Sequence, residues 1–146
     1  MPKAQYQLTK VERVTIKENV SVKAPADIER IMRPLIGENE QESFYCISLN
    51  TKNRVLAIEL VSIGTLNASI VHPREILKKA IALNAASIII SHNHPTGDPT
   101  PSREDIEFTR RMHKAGELIG IDLLDHVVIG QDHTQKYVSM KEAGFF

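Results

Sequence analysis

Apolar residues recur at helical spacing in two stretches before residue 85. The first begins at Pro25 and predicts a helix, because proline is favoured in a first turn, and Pro34 should kink or end this helix. The second begins at Pro73 and predicts another helix. The positions predicted to face inward are Ile28, Ile31, Met32 and Leu35 in the first helix and Ile76, Leu77, Ala80 and Ile81 in the second.

Runs of apolar and β-branched residues predict strands. Residues 44–49 and 54–61 are separated by the polar turn 50–53, so we expect these two runs to form a hairpin. Residues 86–91 and 121–129 predict two further buried strands. The shorter segments with strand character are residues 11–17, as an edge strand or an arm, residues 68–71 and residues 136–138.

The order of these elements predicts the fold class. Strands and helices alternate irregularly and include a hairpin, so we expect an α/β fold of the α+β kind, with a mixed central sheet flanked by helices. A chain of 146 residues suits one such domain. We expect residues 1–24 to form an N-terminal arm or edge strand and residues 25–146 to form the domain.

Charge and composition narrow the possible partners. The 18 Lys and Arg residues balance 18 Asp and Glu residues, so the chain has no overall electrostatic attraction to nucleic acid or to an anionic membrane. It has no Trp, three Tyr and four Phe, which supplies few side chains for base stacking.

The single cysteine, Cys46, excludes an internal disulfide and fits a reducing compartment. No leader or long apolar run is visible, so we expect a soluble cytoplasmic protein.

Two histidines lie at the end of the strand predicted at residues 86–91. His92 and His94 are two positions apart. Because side chains alternate across a strand with period two, both imidazoles can project to the same side and bind one ion.

A constrained loop follows these histidines and leads into a third helix. Its prolines and glycine exclude regular structure, and Ser102 is a natural N-cap for a helix that should run to about Gly116 or Ile119. Asp105 then falls in the first helical turn, directed back toward the loop. The loop residues concerned are Pro95, Gly97, Pro99 and Pro101, and the helix should bury Ile106 and Met112.

Two histidines and one carboxylate form a set of three protein ligands. Zinc with three protein ligands, here His92, His94 and Asp105, keeps a fourth position for water, which is typical of catalytic sites. Ser102 and Asp105 also fit a simple capping box, in which both merely bind helix N-terminal amides. The close succession of all four residues favours the metal site over the capping role alone.

At these residues the chain resembles a known family. His92, His94, Ser102 and Asp105 match the His-x-His-x7-Ser-x-x-Asp pattern of the JAMM (MPN-plus) zinc metalloproteases. The sequence segments around these residues are similar to those of the RadC family, and the resemblance covers about residues 25 to 144. RadC proteins often carry an N-terminal helix-hairpin-helix segment, whereas only about two dozen residues precede the domain here, which implies a short, stand-alone form. The segments that carry the RadC resemblance are residues 71–75, 91–102 and 124–130.

The resemblance implies a fold, a cofactor and a reaction. The fold would be JAMM/MPN-like, with the three-layer architecture also seen in cytidine deaminases. The cofactor would be Zn²⁺, and the reaction would be attack of a zinc-bound water on a peptide or isopeptide carbonyl. Glu42, just before the strand at residues 44–49, would be the base that accepts the proton of that water, although it also fits a solvated acidic turn. Ser102 would donate to the oxyanion, a role that competes with capping.

We expect the remaining histidines and Asp98 to have structural roles rather than to bind the metal. His126 lies in an apolar strand and is expected to be structural or to contact a ligand from behind rather than to bind metal. His72 should lie at the approach to a helix. His113 and His133 should be exposed, and Asp98 should serve the turn, although it could reach a metal.

Two other functions compete with the hydrolase. The RadC name implies a DNA-repair-associated nucleic-acid-binding or nuclease module, but the neutral charge and sparse aromatic residues do not support it. A catalytically idle interaction domain is the other alternative, although every residue of the motif is present. The sequence names no substrate and no oligomeric state.

Overall fold

The computed structural model describes residues 13–14, 20–36, 40–63, 71–130 and 137–146. These residues form six strands and three helices. In chain order they are β1 (Arg13–Val14), α1 (Pro25–Ile36), β2 (Ser43–Leu49), β3 (Val55–Ile63), α2 (Pro73–Ala82), β4 (Ser87–Asn93), α3 (Arg103–Ile119), β5 (Asp122–Ile129) and β6 (Tyr137–Ser139).

The six strands form one mixed sheet in the order β1-β3-β2-β4-β5-β6. β2 pairs antiparallel with both β3 and β4, whereas β4 pairs parallel with β5 through the crossover helix α3. β4 therefore lies in the interior of the sheet, and all seven of its residues are buried.

The hairpin of β2 and β3 confirms the sequence prediction. The side-chain oxygen of Asn50 accepts hydrogen bonds from the backbone N–H groups of Lys52 and Arg54, at 2.9 and 3.0 Å. Asn53 adopts a positive φ of 58°, a conformation that asparagine tolerates better than most residues. These contacts set the tight turn that brings β3 back along β2.

The sheet separates two hydrophobic cores. Ile89 faces α1, whereas its neighbours Ile88 and Ile90 face α2 and α3, as the alternation of side chains along a strand requires. The fold therefore has three layers, with one helix on one side of the sheet and two on the other, which confirms the predicted class. The α1 side also contains Ile28, Met32, Ile36, Ile47 and Val127, and the other side contains Phe44, Ile76, Ala80, Phe108 and Met112.

Several boundaries differ from the predictions. Pro34 does not end α1, which continues to Ile36. Only one intrahelical hydrogen bond is lost at a proline, and burial of Ile36 in the core favours the extra turn. β4 extends to Asn93, past the predicted end at residue 91, because it pairs with strands on both sides.

Some predicted segments fall wholly or partly outside the described residues. Of the arm or edge strand predicted at residues 11–17, only Arg13–Val14 is described, and it pairs with β3 at the edge of the sheet. The strand predicted at residues 68–71 lies outside except for its last residue. β6 is described from Tyr137 onward. Within the described ranges, no helix combines the length and the apolar character needed to cross a membrane.

Candidate metal centre

The two histidines converge at the carboxyl end of β4. His92 is the sixth residue of β4 and is fully buried, and His94 follows the strand directly. Their Nε2 atoms lie 2.9 Å apart. Phe44, the partner of His92 in β2, stacks on the His92 ring with a centroid separation of 4.2 Å. Period-two alternation thus places both imidazoles on the α3 side of the sheet, as the sequence predicted.

The loop after β4 holds the His94 ring in place. The Nδ1 atom of His94 lies 2.9 Å from the backbone carbonyl oxygen of Asp98. The Asp98 side chain instead accepts hydrogen bonds from the backbone N–H and the hydroxyl of Thr100, at 3.0 and 2.7 Å. Asp98 therefore serves the turn through its side chain and orients His94 through its backbone.

The carboxylate of Asp105 is positioned by the first turn of α3. Ser102 Oγ accepts a hydrogen bond from Asp105 N at 3.1 Å, and Asp105 Oδ2 accepts one from Ser102 N at 2.8 Å, which completes a capping box. The same Oδ2 atom lies 3.2 Å from His94 Nε2 and 3.4 Å from His92 Nε2. The capping box and the approach to the histidines thus coexist, because a carboxylate oxygen has more than one lone pair.

The three facing atoms fit the dimensions of a zinc site. Zinc binds histidine nitrogen and carboxylate oxygen at roughly 2.0 to 2.2 Å with tetrahedral geometry, which separates neighbouring ligand atoms by about 3.3 Å. The separations between the Nε2 atoms and Asp105 Oδ2 are 2.9, 3.2 and 3.4 Å. Little movement is needed for these atoms to share one ion.

Glu42 lies on the other side of His94. Its Oε1 atom is 3.6 Å from His94 Nε2, and ligand atoms of Glu42, His92 and His94 all lie within 4.8 Å of one another. This trio could also hold a metal ion. The structure therefore brings together all five residues predicted for the site, with the half-buried Glu42 beside the histidine pair and the exposed Ser102 at the start of α3.

The two carboxyl groups have opposite electrostatic environments. Burial raises the pKa of Glu42, an effect that His94 partly offsets. Burial also tends to raise the pKa of Asp105, but its contacts with His92 and His94 outweigh burial and hold its pKa well below the usual range. Asp105 is thus ionised and fixed, whereas Glu42 is the stronger proton acceptor of the two.

The pKa values of the two histidines, His92 and His94, shift in opposite directions. Burial lowers the pKa of His92. Burial acts in the same direction on His94, but the hydrogen bond to Asp105 and that to the Asp98 carbonyl prevail and raise its pKa. Of the pair, His92 is therefore the more strongly held in the neutral form, the form in which histidine binds metals.

A second row of polar residues lies behind His92. His126 Nε2 is 2.7 Å from His92 Nδ1, and His126 Nδ1 is 2.6 Å from Thr109 Oγ1. Burial holds the pKa of His126 well below that of a free imidazole. His126 thus contacts a candidate ligand from behind, as one of its two sequence interpretations expected.

Other polar residues predicted from the sequence lie apart from this centre. His72 precedes α2 as its N-cap residue without a side-chain capping bond. His113 is half-buried rather than exposed, because its ring packs against Phe146 at the C-terminal end of the chain. His133 lies outside the described residues. Cys46 is buried in β2, where burial raises the pKa of its thiol to about 12.

Three residues at the centre were missed by the sequence reasoning. Asn93 binds the backbone on both sides of Glu42, Thr109 contacts His126, and Phe44 stacks on His92. Thr109 had a detectable signal, because it lies four residues after Asp105 and thus on the same helix face. Asn93 and Phe44 depend on the register between β2 and β4, which no local pattern reveals.

Comparison with known proteins identifies relatives over nearly the whole chain. Residues 22–145 match the family model described as a RadC-like JAB domain. UPF0758 protein lmo1549 of Listeria monocytogenes is 47% identical over 137 residues, which cover 94% of this chain and 60% of that protein. UPF0758 protein BH3032 of Halalkalibacterium halodurans is 56% identical over 123 residues, which cover 84% of this chain and 52% of that protein.

A third relative has an archaeal source. UPF0758 protein Mbar_A2303 of Methanosarcina barkeri is 52% identical over 122 residues, which cover 84% of this chain and 52% of that protein. The chain thus spans between about half and three fifths of the length of these relatives. The family match confirms the resemblance predicted from the sequence, and the chain belongs to the family of RadC-like JAB domains.

Proposed function

We propose that this domain is a zinc-dependent hydrolase of the metallopeptidase type that cleaves a peptide or isopeptide bond. The observation that carries the proposal is the convergence of His92 Nε2, His94 Nε2 and Asp105 Oδ2, with Glu42 beside them. Membership of the JAB family supports it.

We assign the metal to His92, His94 and Asp105. Asp105 is favoured over Glu42 as the third ligand because its Oδ2 atom approaches both Nε2 atoms, within 3.2 and 3.4 Å, and because the capping box fixes its position. When bound, zinc supplies Lewis acidity, which acidifies a water molecule and polarises a carbonyl group.

We assign proton transfer to Glu42. A carboxylate of raised pKa, half-buried beside the ligands, is suited to accept a proton from the attacking water and to return it to the leaving amine. The opposite pKa directions of Glu42 and Asp105 support this division of roles.

We assign oxyanion stabilisation to Ser102. The capping bond uses a lone pair of its hydroxyl oxygen, since Asp105 N is the donor. The hydroxyl hydrogen is therefore not used by the cap, and the competition expected between capping and oxyanion binding does not arise. Ser102 is also exposed, so a substrate can reach it.

We propose a peptide or protein substrate in preference to nucleic acid. The formal net charge of the chain is zero, whereas phosphate backbones are bound through an excess of Lys and Arg. A single metal also suits acyl chemistry better than the paired metals used for phosphodiester cleavage. The lone, buried Cys46 supports a cytoplasmic setting.

The first test is metal content. Purified protein is expected to contain one zinc per chain, and the cobalt-substituted form should show the absorption of a tetrahedral site. If the protein contains no stoichiometric metal and added zinc neither binds nor raises the melting temperature, the proposal is wrong.

The second test separates metal binding from catalysis. Zinc-loaded protein is assayed against a fluorogenic peptide library and a set of isopeptide-linked peptides. Glu42→Gln should retain zinc and lose turnover, whereas Glu40→Gln, an exposed neighbour, should behave as the unmodified protein. Equal turnover in the two variants would remove Glu42 from the mechanism.

A further inference from the structure

The two candidate histidine ligands have different partners at Nδ1. A histidine can bind a metal through Nε2 only if that nitrogen has a free lone pair, so the proton of the neutral ring must be on Nδ1. His94 Nδ1 faces the backbone carbonyl of Asp98, which can only accept, and this fixes the proton on Nδ1. His92 Nδ1 faces another imidazole, that of His126, which can either donate or accept.

Thr109 resolves this ambiguity. Its Oγ1 atom lies 2.6 Å from the backbone carbonyl oxygen of Asp105 and 2.6 Å from His126 Nδ1. The hydroxyl has one hydrogen, and the carbonyl can only accept. Both short contacts can therefore be hydrogen bonds only in one arrangement. In it, the Thr109 hydroxyl donates to the Asp105 carbonyl, and His126 Nδ1–H donates to Thr109 Oγ1. The opposite arrangement would leave two acceptor oxygens in contact without a hydrogen between them.

The proton positions then follow along the chain of contacts. A neutral His126 with its proton on Nδ1 has a lone pair on Nε2, which accepts from His92 Nδ1–H across 2.7 Å. His92 then has its own lone pair on Nε2, the atom that faces His94 Nε2 and Asp105 Oδ2. Reversal of these bonds would instead place a hydrogen on His92 Nε2 and block the ligand atom.

We propose that Thr109 and His126 are positioning residues that hold His92 in the tautomer required for binding a metal through Nε2. This inference rests on the proposed function only in taking His92 as a ligand. Donation by a ligating imidazole to a fixed acceptor also strengthens the ligand.

Burial keeps this arrangement in place. His92, Thr109 and His126 are each 0% exposed, so their contacts are shielded from bulk water. The His126 backbone carbonyl accepts from Met140 N at 2.9 Å, and its backbone N–H donates to the carboxylate of Asp125 at 2.7 Å. The Phe44 ring meets His126 edge-on. Backbone hydrogen bonds and ring packing therefore hold His126 in position behind His92.

The test compares Thr109→Val with Thr109→Ser. Valine has nearly the shape of threonine without the hydroxyl, and serine keeps the hydroxyl. Zinc affinity is measured by competition with a chelator at fixed pH. We expect Thr109→Val to bind zinc about 10- to 100-fold more weakly, the range typical of residues that orient ligands, and Thr109→Ser to stay close to the unmodified protein.

The unfolding free energy of the metal-free variants provides the structural control. If Thr109 only stabilised the fold, Thr109→Val would unfold more easily but its folded fraction would bind zinc with unchanged affinity, which would overturn the proposal. If the unmodified protein binds no zinc, the proposed function and this inference both fail. Unchanged affinity in Thr109→Val, with zinc bound by the unmodified protein, overturns this inference alone.

A second measurement does not require a variant that folds. Histidine nitrogen shifts of the ¹⁵N-labelled, zinc-loaded protein should show His92 and His126 both protonated at Nδ1 and not at Nε2. A proton on Nε2 of His126 would show that the bonds run in the opposite direction and would overturn the proposal.

Discussion

Asn93 holds the backbone on both sides of Glu42. Its side-chain oxygen accepts a hydrogen bond from Ser43 N at 2.7 Å, and its side-chain nitrogen donates to the carbonyl oxygen of Gln41 at 3.1 Å. Asn93 lies between the two histidines in sequence, so one short segment presents the candidate ligands and positions the candidate base.

This relationship predicts the effect of Asn93→Ala. Loss of both bonds removes side-chain support from the backbone on either side of Glu42, while His92 and His94 keep their own contacts. We expect zinc content to be unchanged and turnover to fall by about 10- to 100-fold, since a displacement of about 1 Å at a reacting group can have that effect. Asn50→Ala is the matched control, because Asn50 binds two backbone amides in the remote hairpin turn. Equal turnover in the two variants would contradict the positioning role.

Asp105→Asn tests the third ligand. The amide can still accept the capping bond from Ser102 N, but it lacks the charge and the ligand strength of a carboxylate. We expect a large loss of zinc affinity, measured by chelator competition, with a modest change in unfolding free energy. Asp27→Asn provides the same substitution at the start of α1, where Asp27 accepts bonds from the backbone amides of Lys23 and Ala24. If Asp105→Asn binds zinc as tightly as Asp27→Asn does, Asp105 is not a ligand.

Ser102→Ala tests both roles of the hydroxyl in one variant. Loss of the cap should lower the unfolding free energy by about 1 kcal/mol, measured by urea denaturation. Loss of the oxyanion donor should lower turnover by about 100-fold or more at saturating zinc. A variant that is less stable but fully active would leave Ser102 with the capping role alone.

Cys46 should be chemically silent in the native protein. Burial raises the pKa of its thiol to about 12, so the thiol stays protonated at every pH below that value, and the thiolate is the reactive form. A thiol reagent at pH 8 should label Cys46 only after denaturant has unfolded the chain. Rapid labelling without denaturant would show that β2 opens in the native state.

Much of this arrangement was predictable because its signals are local. The spacing of His92 and His94, the loop that follows and the first turn of α3 together span fourteen residues, and period-two and helical spacing suffice to orient their side chains. The hairpin and most of the helix faces followed from the same periodicities, but Ile81, predicted to face inward, is 53% exposed, and Ile106 is only partly buried. Glu42 lies far from this segment in sequence, and only the family resemblance located it.

The contacts that the sequence did not reveal depend on pairing between distant strands. Phe44 lies opposite His92 because of the β2–β4 register, and His126 lies beside His92 because β5 is parallel to β4. A shift of one residue in either register would turn these side chains to the opposite face of the sheet. Of the two outcomes predicted at Pro34, a kink or an end of the helix, the end does not occur, because burial of Ile36 favours the extra turn.

The distribution of the site along the chain has a consequence for how the site assembles. His92 and Asp105 are separated by a short loop, whose ends meet at low entropic cost, whereas Glu42 arrives only when β2 has paired with β4. The candidate ligands His92 and Asp105 are therefore local to one segment, whereas Glu42 depends on pairing between distant strands. Under the proposed function, the residue assigned to proton transfer joins the metal ligands only when β2 pairs with β4.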